Sequence, residues 1–233
     1  MRKGQSGFTL VEIAIVLVII GLLLGGVLKG QELINSAKVK NFANDFRNIP
    51  LFIYGYQDKY RALPGDDANV VAHVAGTLAT TPGQTGNGVI EGAWDSTTTT
   101  DESFLFWQHV RLANLAAGPT NTADTNYIQK NADGGQIGIA SNSASAPYIT
   151  GLKGTYIVCS TSILGKYVKQ LDLTLDDGCP SSGSVMAIEN HPAGTTTGNT
   201  PVNLTTSSGT SGASCSGTTV IDDAKSYTVC MGI

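Results

Sequence analysis

The chain has 233 residues, enough for one domain with its own core beside a further segment. Only 14% of them are charged, 18 acidic against 14 basic, for a formal net charge of −4. A balance without clustered Lys and Arg argues against a general nucleic-acid surface, because nothing replaces the phosphate counterions; abundant Gly, Thr, Ser and Asn make the surface more polar than charged.

The chain divides into residues 1–7, 8–28, 29–62 and 63–233. The first piece, MRKGQSG, is short and basic through Arg2 and Lys3. From Phe8 to Leu28 the run is apolar except for Thr9 and Glu12. At about 1.5 Å per residue, a helix of that length crosses a hydrocarbon core of roughly 30 Å. A secretory signal peptide places its small residues after the apolar region, so that cleavage discards it. Here Gly7 precedes the run, and cleavage there leaves the whole apolar helix on the mature chain. Glu12 breaks the pattern, since a carboxylate within a membrane span costs about 2.5–3.5 kcal/mol on insertion scales and marks function. The run itself contains no cation. Cleavage after Gly7 would give Phe8 an α-amino group, largely protonated at neutral pH. On one helix that amine lies about 6 Å along the axis from Glu12, so a tight pair is expected between neighbouring subunits.

Gly7-Phe8-Thr9-Leu10-Val11-Glu12 resembles the class III leader junction of type IV pilins and type II secretion pseudopilins. The resemblance implies that a prepilin peptidase cuts after Gly7 and N-methylates Phe8. It also implies that Glu12, five places into the mature chain, guides helix-to-helix assembly of a filament. The implied fold is α+β, a long N-terminal helix, half transmembrane, packed on an antiparallel sheet head.

Beyond Leu28 the helix is expected to continue to residue 62. Phe42, Phe46, Ile49, Ile53, Tyr56 and Tyr60 recur at helical spacing and draw one apolar stripe to hold against the head. With Phe52 and Tyr54 they form an aromatic cluster whose expected role is core packing. Gly25, Gly26, Gly30 and Pro50 are expected to soften or kink the helix. Leu63-Pro64-Gly65-Asp66 stops it. A Gly- and Thr-rich loop follows to Thr100, then a second helix is expected from about Asp101 to Ala117, capped by Asp101 and ended by Gly118-Pro119. The pieces KYRALPGD, GNGVI and WQHVRLANLAAG, and later Leu175 to Pro180, resemble a subgroup of pilin-like proteins. From Gly151 the pattern turns to strands at 155–159, 184–188 and 226–230, with a short helix between Ser162 and Leu175. Residues 194–217, rich in Thr, Ser and Gly, form an expected exposed loop.

Cys159, Cys179, Cys215 and Cys230 all lie in the last third, an even set that implies two disulfides in an oxidising compartment. Their spacing lacks the paired C-x-x-C of zinc sites. Of three connectivities, Cys159–Cys179 and Cys215–Cys230 are favoured, the first joining a strand to the turn after the short helix, the second flanking a hairpin. Lys29, Lys38 and Lys40 nearly balance Arg2, Lys3 and the initial amine, so charge does not orient the span. The cysteines and the resemblance place the head outside the cytoplasm.

No catalytic constellation is visible, and an enzyme is not expected. His73, His109 and His191 are scattered without a Cys, Asp or Glu at ligand or triad spacing. Asp66-Asp67 and Asp176-Asp177-Gly178 are acidic turns. Calcium takes six to eight oxygens, more than a paired turn offers, so no cofactor is expected and calcium at Asp176 and Asp177 is the lesser reading. Asn203-Leu204-Thr205 matches the N-glycosylation pattern, for which a plain surface loop is the simpler account.

The expected function is that of a structural subunit of a type IV pilus or pilus-like filament. Its expected partners are copies of itself, the inner membrane, prepilin peptidase and the pilus or secretion machinery. The head sits in the periplasm before assembly, and the filament is an extracellular pilus or a periplasm-spanning pseudopilus afterwards. The alternatives are a type II secretion pseudopilin and, from another class, a membrane-anchored periplasmic binding domain or enzyme. Processing is directly testable. Intact mass and N-terminal sequencing of the native protein should find a chain starting at N-methylated Phe8, and Gly7→Val should block cleavage. Assembled material that keeps Met1 to Gly7 would overturn the assignment.

Overall fold

A computed structural model describes residues 10–143, 145, 147–189, 199–202 and 220–233. Helix α1 spans Leu10–Tyr60, followed by α2 (Val70–Val74), α3 (Glu102–Leu112), β1 (Ile137–Ser141), β2 (Tyr156–Leu164), α4 (Gly165–Leu175), β3 (Val185–Glu189) and β4 (Ser226–Gly232). The chain forms two compact units, one ending at Lys38 and the other running from Val39 to Ile233. The architecture is α+β, with a long apolar N-terminal helix and an antiparallel four-stranded sheet.

Helical spacing placed the buried stripe of α1 from Phe42 to Tyr56, while Tyr60, expected on it too, is only half-buried. Val39, Phe42, Ala43, Phe46, Ile49, Ile53 and Tyr56 are its buried residues. The aromatic cluster divides, however. Phe42, Phe46 and Tyr56 enter the core, Phe52 is half-buried, and Tyr54 is 63% exposed on the outer face. The softening expected at the glycines and Pro50 does not interrupt the helix, which runs through all four positions. Pro50 removes one backbone donor, and the buried side chains of Phe46, Ile49 and Ile53 on either side hold the turn in place.

The strand order is β1-β2-β4-β3, every neighbouring pair antiparallel. Both faces of the sheet are covered, so its strands are nearly continuous apolar runs without a polar face. On one face Ile139, Val158, Val229 and Ala187 pack with the α1 stripe and with Tyr167, Val168 and Leu171 of α4. On the other, Ala140, Ile157, Cys159, Cys230, Met186 and Ile188 lie beneath Trp94, Tyr148, Ile149 and Leu152 from the loops. Strand β1 was not foreseen. Its second residue is Gly138, where an added Cβ would run into the Trp94 carbonyl, so the close approach requires glycine at the cost of strand propensity.

The second helix ends at Leu112, short of the expected Ala117, because Asn114 turns into the left-handed region at φ 59°. Asp101 precedes α3 without a capping bond from its side chain; it accepts instead from Thr81 Oγ1 at 2.6 Å and Ser96 Oγ at 2.6 Å. The helix after Ser162 begins three residues later, since β2 extends to Leu164.

The favoured disulfide pairing is corrected. Cys159 and Cys230 are register partners across β2 and β4, with Cα atoms 4.1 Å apart, and are bonded to each other. The physical reason is the strand order: β4 inserts between β2 and β3, so the last strand faces Cys159 directly. This excludes both Cys159–Cys179 and Cys215–Cys230. Cys179 is also disulfide-bonded, while Cys215 lies outside the described residues. Non-reducing peptide mapping should return a Cys159–Cys230 pair, leaving Cys215 as the one remaining cysteine of the chain for Cys179. Replacing Cys159 and Cys230 together by serine should cost about 2–5 kcal/mol of head stability, measured by denaturant unfolding.

Candidate functional site

The apolar segment is the first candidate. Between Leu10 and Ile34 the large apolar side chains are exposed, from Leu10 at 91% through Leu22 at 73% to Ile34 at 60%. By length and composition this helix can cross a membrane. Glu12 lies in its first turn, exposed among them. Lys29 and Glu32 close the apolar stretch with a 2.7 Å ion pair. Gly7 and Phe8 lie outside the described residues.

The head brings its three sequence pieces to one place. Pro64-Gly65-Asp66-Asp67 leaves α1 with Gly65 at φ 94°, a conformation suited to glycine. Asp66, 3% exposed, accepts from the backbone N–H groups of Gly86, Asn87 and Gly88. Its carboxylate thus sits in a nest of successive amides, which explains why PGD and GNG occur together in one chain. Asp67, 1% exposed, accepts from Tyr56 Oη at 2.7 Å and from the Asn69 N–H at 2.8 Å, and lies 2.7 Å from His73 Nδ1. Burial pushes the Asp67 carboxyl up, but the bonds from His73, Tyr56 and the Asn69 N–H together hold it below the ordinary range. The spacing of the histidines therefore hid a true His–Asp pair, because the loop after Pro64 folds back onto α2.

His109 from the WQHV piece is fully buried. Its Nδ1 accepts the Gly65 N–H at 2.9 Å, so the ring proton belongs on Nε2, which donates to the Thr77 carbonyl at 2.9 Å. Burial lowers its pKa and keeps it neutral. At the start of the same helix Glu102, 1% exposed, accepts from the Glu91 N–H at 2.8 Å. Burial, with Asp66 and Glu91 close by, pushes Glu102 up to about 8 despite that bond. Gln57, Arg61, Asp66, Asp67, Asn69 and Tyr156 line an open cleft of about 640 Å³ beside this network. Its carboxylates are spent on backbone and side-chain donors, and their chemistry is the bracing of a loop.

The second acidic turn uses its carboxylates in the same way. Asp176 accepts from the Ser184 and Val185 N–H groups, and Asp177 from the Cys179 N–H and the Ser182 hydroxyl. Asp172 of α4 joins them, a residue without any motif signal in the sequence. His191 and the Asn203-Leu204-Thr205 pattern fall outside the described residues.

A pH dependence follows from Glu102. Its folded pKa is raised, so its contribution is fully present below the unfolded value near 4.5 and is lost as pH rises toward about 8. Thermal unfolding should therefore show a melting temperature that falls between about pH 5 and pH 8. Glu102→Gln, which keeps shape and removes the charge, should flatten that fall; a profile parallel to wild type would refute the assignment.

Comparison with known proteins adds one match: residues 2–28 fit the family model of the prokaryotic N-terminal methylation motif. No curated protein and no solved structure matches the chain. The motif occupies the leader and the exposed apolar part of α1, where Gly7, Phe8 and Glu12 lie. On a long apolar helix joined to an antiparallel-sheet head, the match at residues 2–28 supports a class III leader of the type IV pilin and pseudopilin kind.

Proposed function

We infer that this protein is a structural subunit of a type IV pilus or pilus-like filament, held in the inner membrane by α1 until it is assembled. The observation that carries the reading is the change in α1 along its length. Its residues from Val39 to Tyr56 bury one stripe, whereas Leu10 to Leu28 expose apolar side chains on every side. A helix apolar all round belongs in lipid or among other apolar helices. The methylation motif at residues 2–28 supports processing by a prepilin peptidase and assembly by a pilus-type machinery. The head then faces the periplasm, where the Cys159–Cys230 bond persists. A type II secretion pseudopilin shares the leader and the helix, and differs in the machine that the filament serves.

Assembly stacks copies of α1. Lipid offers little hydrophobic gain on association, so shape and charge pairing supply the specificity. Glu12 accepts the methylated Phe8 amine of an adjacent subunit and sets the register. Energy for extrusion comes from a cytoplasmic motor.

Glu12→Ala or Glu12→Gln separates an assembly subunit from an anchored domain. Insertion should be intact, because removing a charge makes the span more apolar. Filament yield should collapse, since an uncompensated buried charge costs about 3–5 kcal/mol at each subunit added. The measurement is sheared surface filament beside total membrane-bound protein in a strain lacking the wild-type chain. Normal filaments would remove the mechanism, and sheared filaments identified by mass spectrometry distinguish a surface pilus from a pseudopilus.

A further inference from the structure

Asp45 sits on α1 at the edge of the buried stripe, one helical turn from Phe42 and from Ile49. It is half-buried, and among the described residues no hydrogen bond or cation answers it. Burial alone pushes its carboxyl up to about 6. The turn aspartates Asp66 and Asp67 are each met by several donors, so Asp45 differs from them in kind. A carboxylate drawn out of water without a partner is unfavourable until something of opposite charge joins it.

Asp45 opens on a cavity of about 170 Å³. Asn48, Ile49 and Phe52 continue its wall along α1, at the three- and four-residue spacing that puts side chains on one helix face. Trp107 of α3 and Gln129 supply further wall. The space is smaller than the roughly 300–1,000 Å³ of pockets for drug-sized ligands, and has the scale of one small headgroup.

The wall selects the ligand. Calcium takes six to eight oxygens, and one carboxylate falls far short of that. A primary ammonium brings three donors. Beyond Asp45 the side-chain oxygens of the wall are those of Asn48 and Gln129, and the Gln129 oxygen already accepts from Arg111 Nη2 at 3.0 Å. A quaternary ammonium carries no donor to satisfy, and it is drawn to aromatic faces and to a nearby carboxylate. Arg111 lies over the Trp107 ring, 5.5 Å from its centroid, but forms no part of the cavity wall. Its remaining bonds go to the Pro119 and Tyr127 carbonyls, which leaves the Asp45 charge uncompensated. We propose that the cavity between Asp45, Phe52 and Trp107 binds the quaternary ammonium group of a choline-type ligand. Asp45 balances the charge, and the two rings pack against the methyl groups.

The test uses the full chain in maltoside detergent at about pH 8, where Asp45 is ionised, with choline chloride as the probe. Trp107 borders the cavity while Trp94 belongs to the cluster on the other face of the sheet, so tryptophan fluorescence reports occupancy. Choline should give a saturable change, and sodium chloride at equal ionic strength should give none. Ethanolamine, which keeps the hydroxyl but carries a primary ammonium, should bind at least about tenfold more weakly. Asp45→Asn keeps the shape and should weaken choline binding about tenfold or more, without lowering the melting temperature. Phe52→Leu should weaken it about threefold or more; if that variant does not fold, Asp45→Asn decides alone. Phosphocholine separates the sources: binding as tight as choline assigns a phosphocholine headgroup, and weaker binding assigns a free cation. An unresponsive wild type, an equal affinity for ethanolamine, or choline binding unchanged in Asp45→Asn would each overturn the site. None of these readouts depends on filament assembly, so the outcome is independent of Glu12 and its function.

Discussion

One helix in this protein has to be apolar in two different senses. Up to Leu28 its large apolar side chains are exposed all round, a composition that water does not tolerate and lipid does. From Val39 onward the apolar side chains fall on one stripe, and the remaining faces carry residues such as Lys40, Asp58 and Lys59. The two patterns demand different surroundings, and Lys29 with Glu32 sits near the change between them. The rest of the fold serves the second pattern. A sheet with one face against the α1 stripe needs its other face covered as well, and the loops bearing Trp94, Tyr148 and Leu152 cover it.

Those loops are long and polar, and polar loops pack only when their backbone groups find partners. Turn aspartates supply some of them. Asp66 gathers three successive amides, Asp67 ties the end of α1 to α2 through Tyr56 and His73, and Asp176 and Asp177 repeat the device after α4. Carboxylates inside a domain more often signal chemistry than scaffolding. Here the count of donors around Asp66 and Asp67 settles their role as turn anchors. Asp172 stands apart: burial, then the charges of Asp177 and Asp176, push its carboxyl up to about 7.

What was legible in the sequence was whatever depended on local spacing. The leader motif, the stripe of Phe42, Phe46, Ile49, Ile53 and Tyr56, and strands β2, β3 and β4 are all short-range patterns. What was hidden depended on distant pieces meeting. The disulfide pairing required the position of β4 in the sheet, which no spacing of four cysteines encodes. Strand β1 was concealed by Gly138, whose missing side chain serves Trp94 and not the strand. The pairing of Asp67 with His73 looked like two unrelated residues on either side of a turn. Asp172 was lost in LDLTLDDG because its helical neighbours gave it no reason to be polar and buried.

The strand order has a consequence for how such a chain is made. β2 and β3 do not touch; both pair with β4, which is the last strand along the chain. During synthesis β2 and β3 therefore wait with open edges until residues 226–232 arrive to stitch them together. Closing the sheet in this way relies on contacts far apart in sequence, and such contacts form slowly. A molecule cut short before Ser226 lacks its central seam and half of the Cys159–Cys230 bond. The sheet therefore closes only when β4 joins β2 and β3 into one surface.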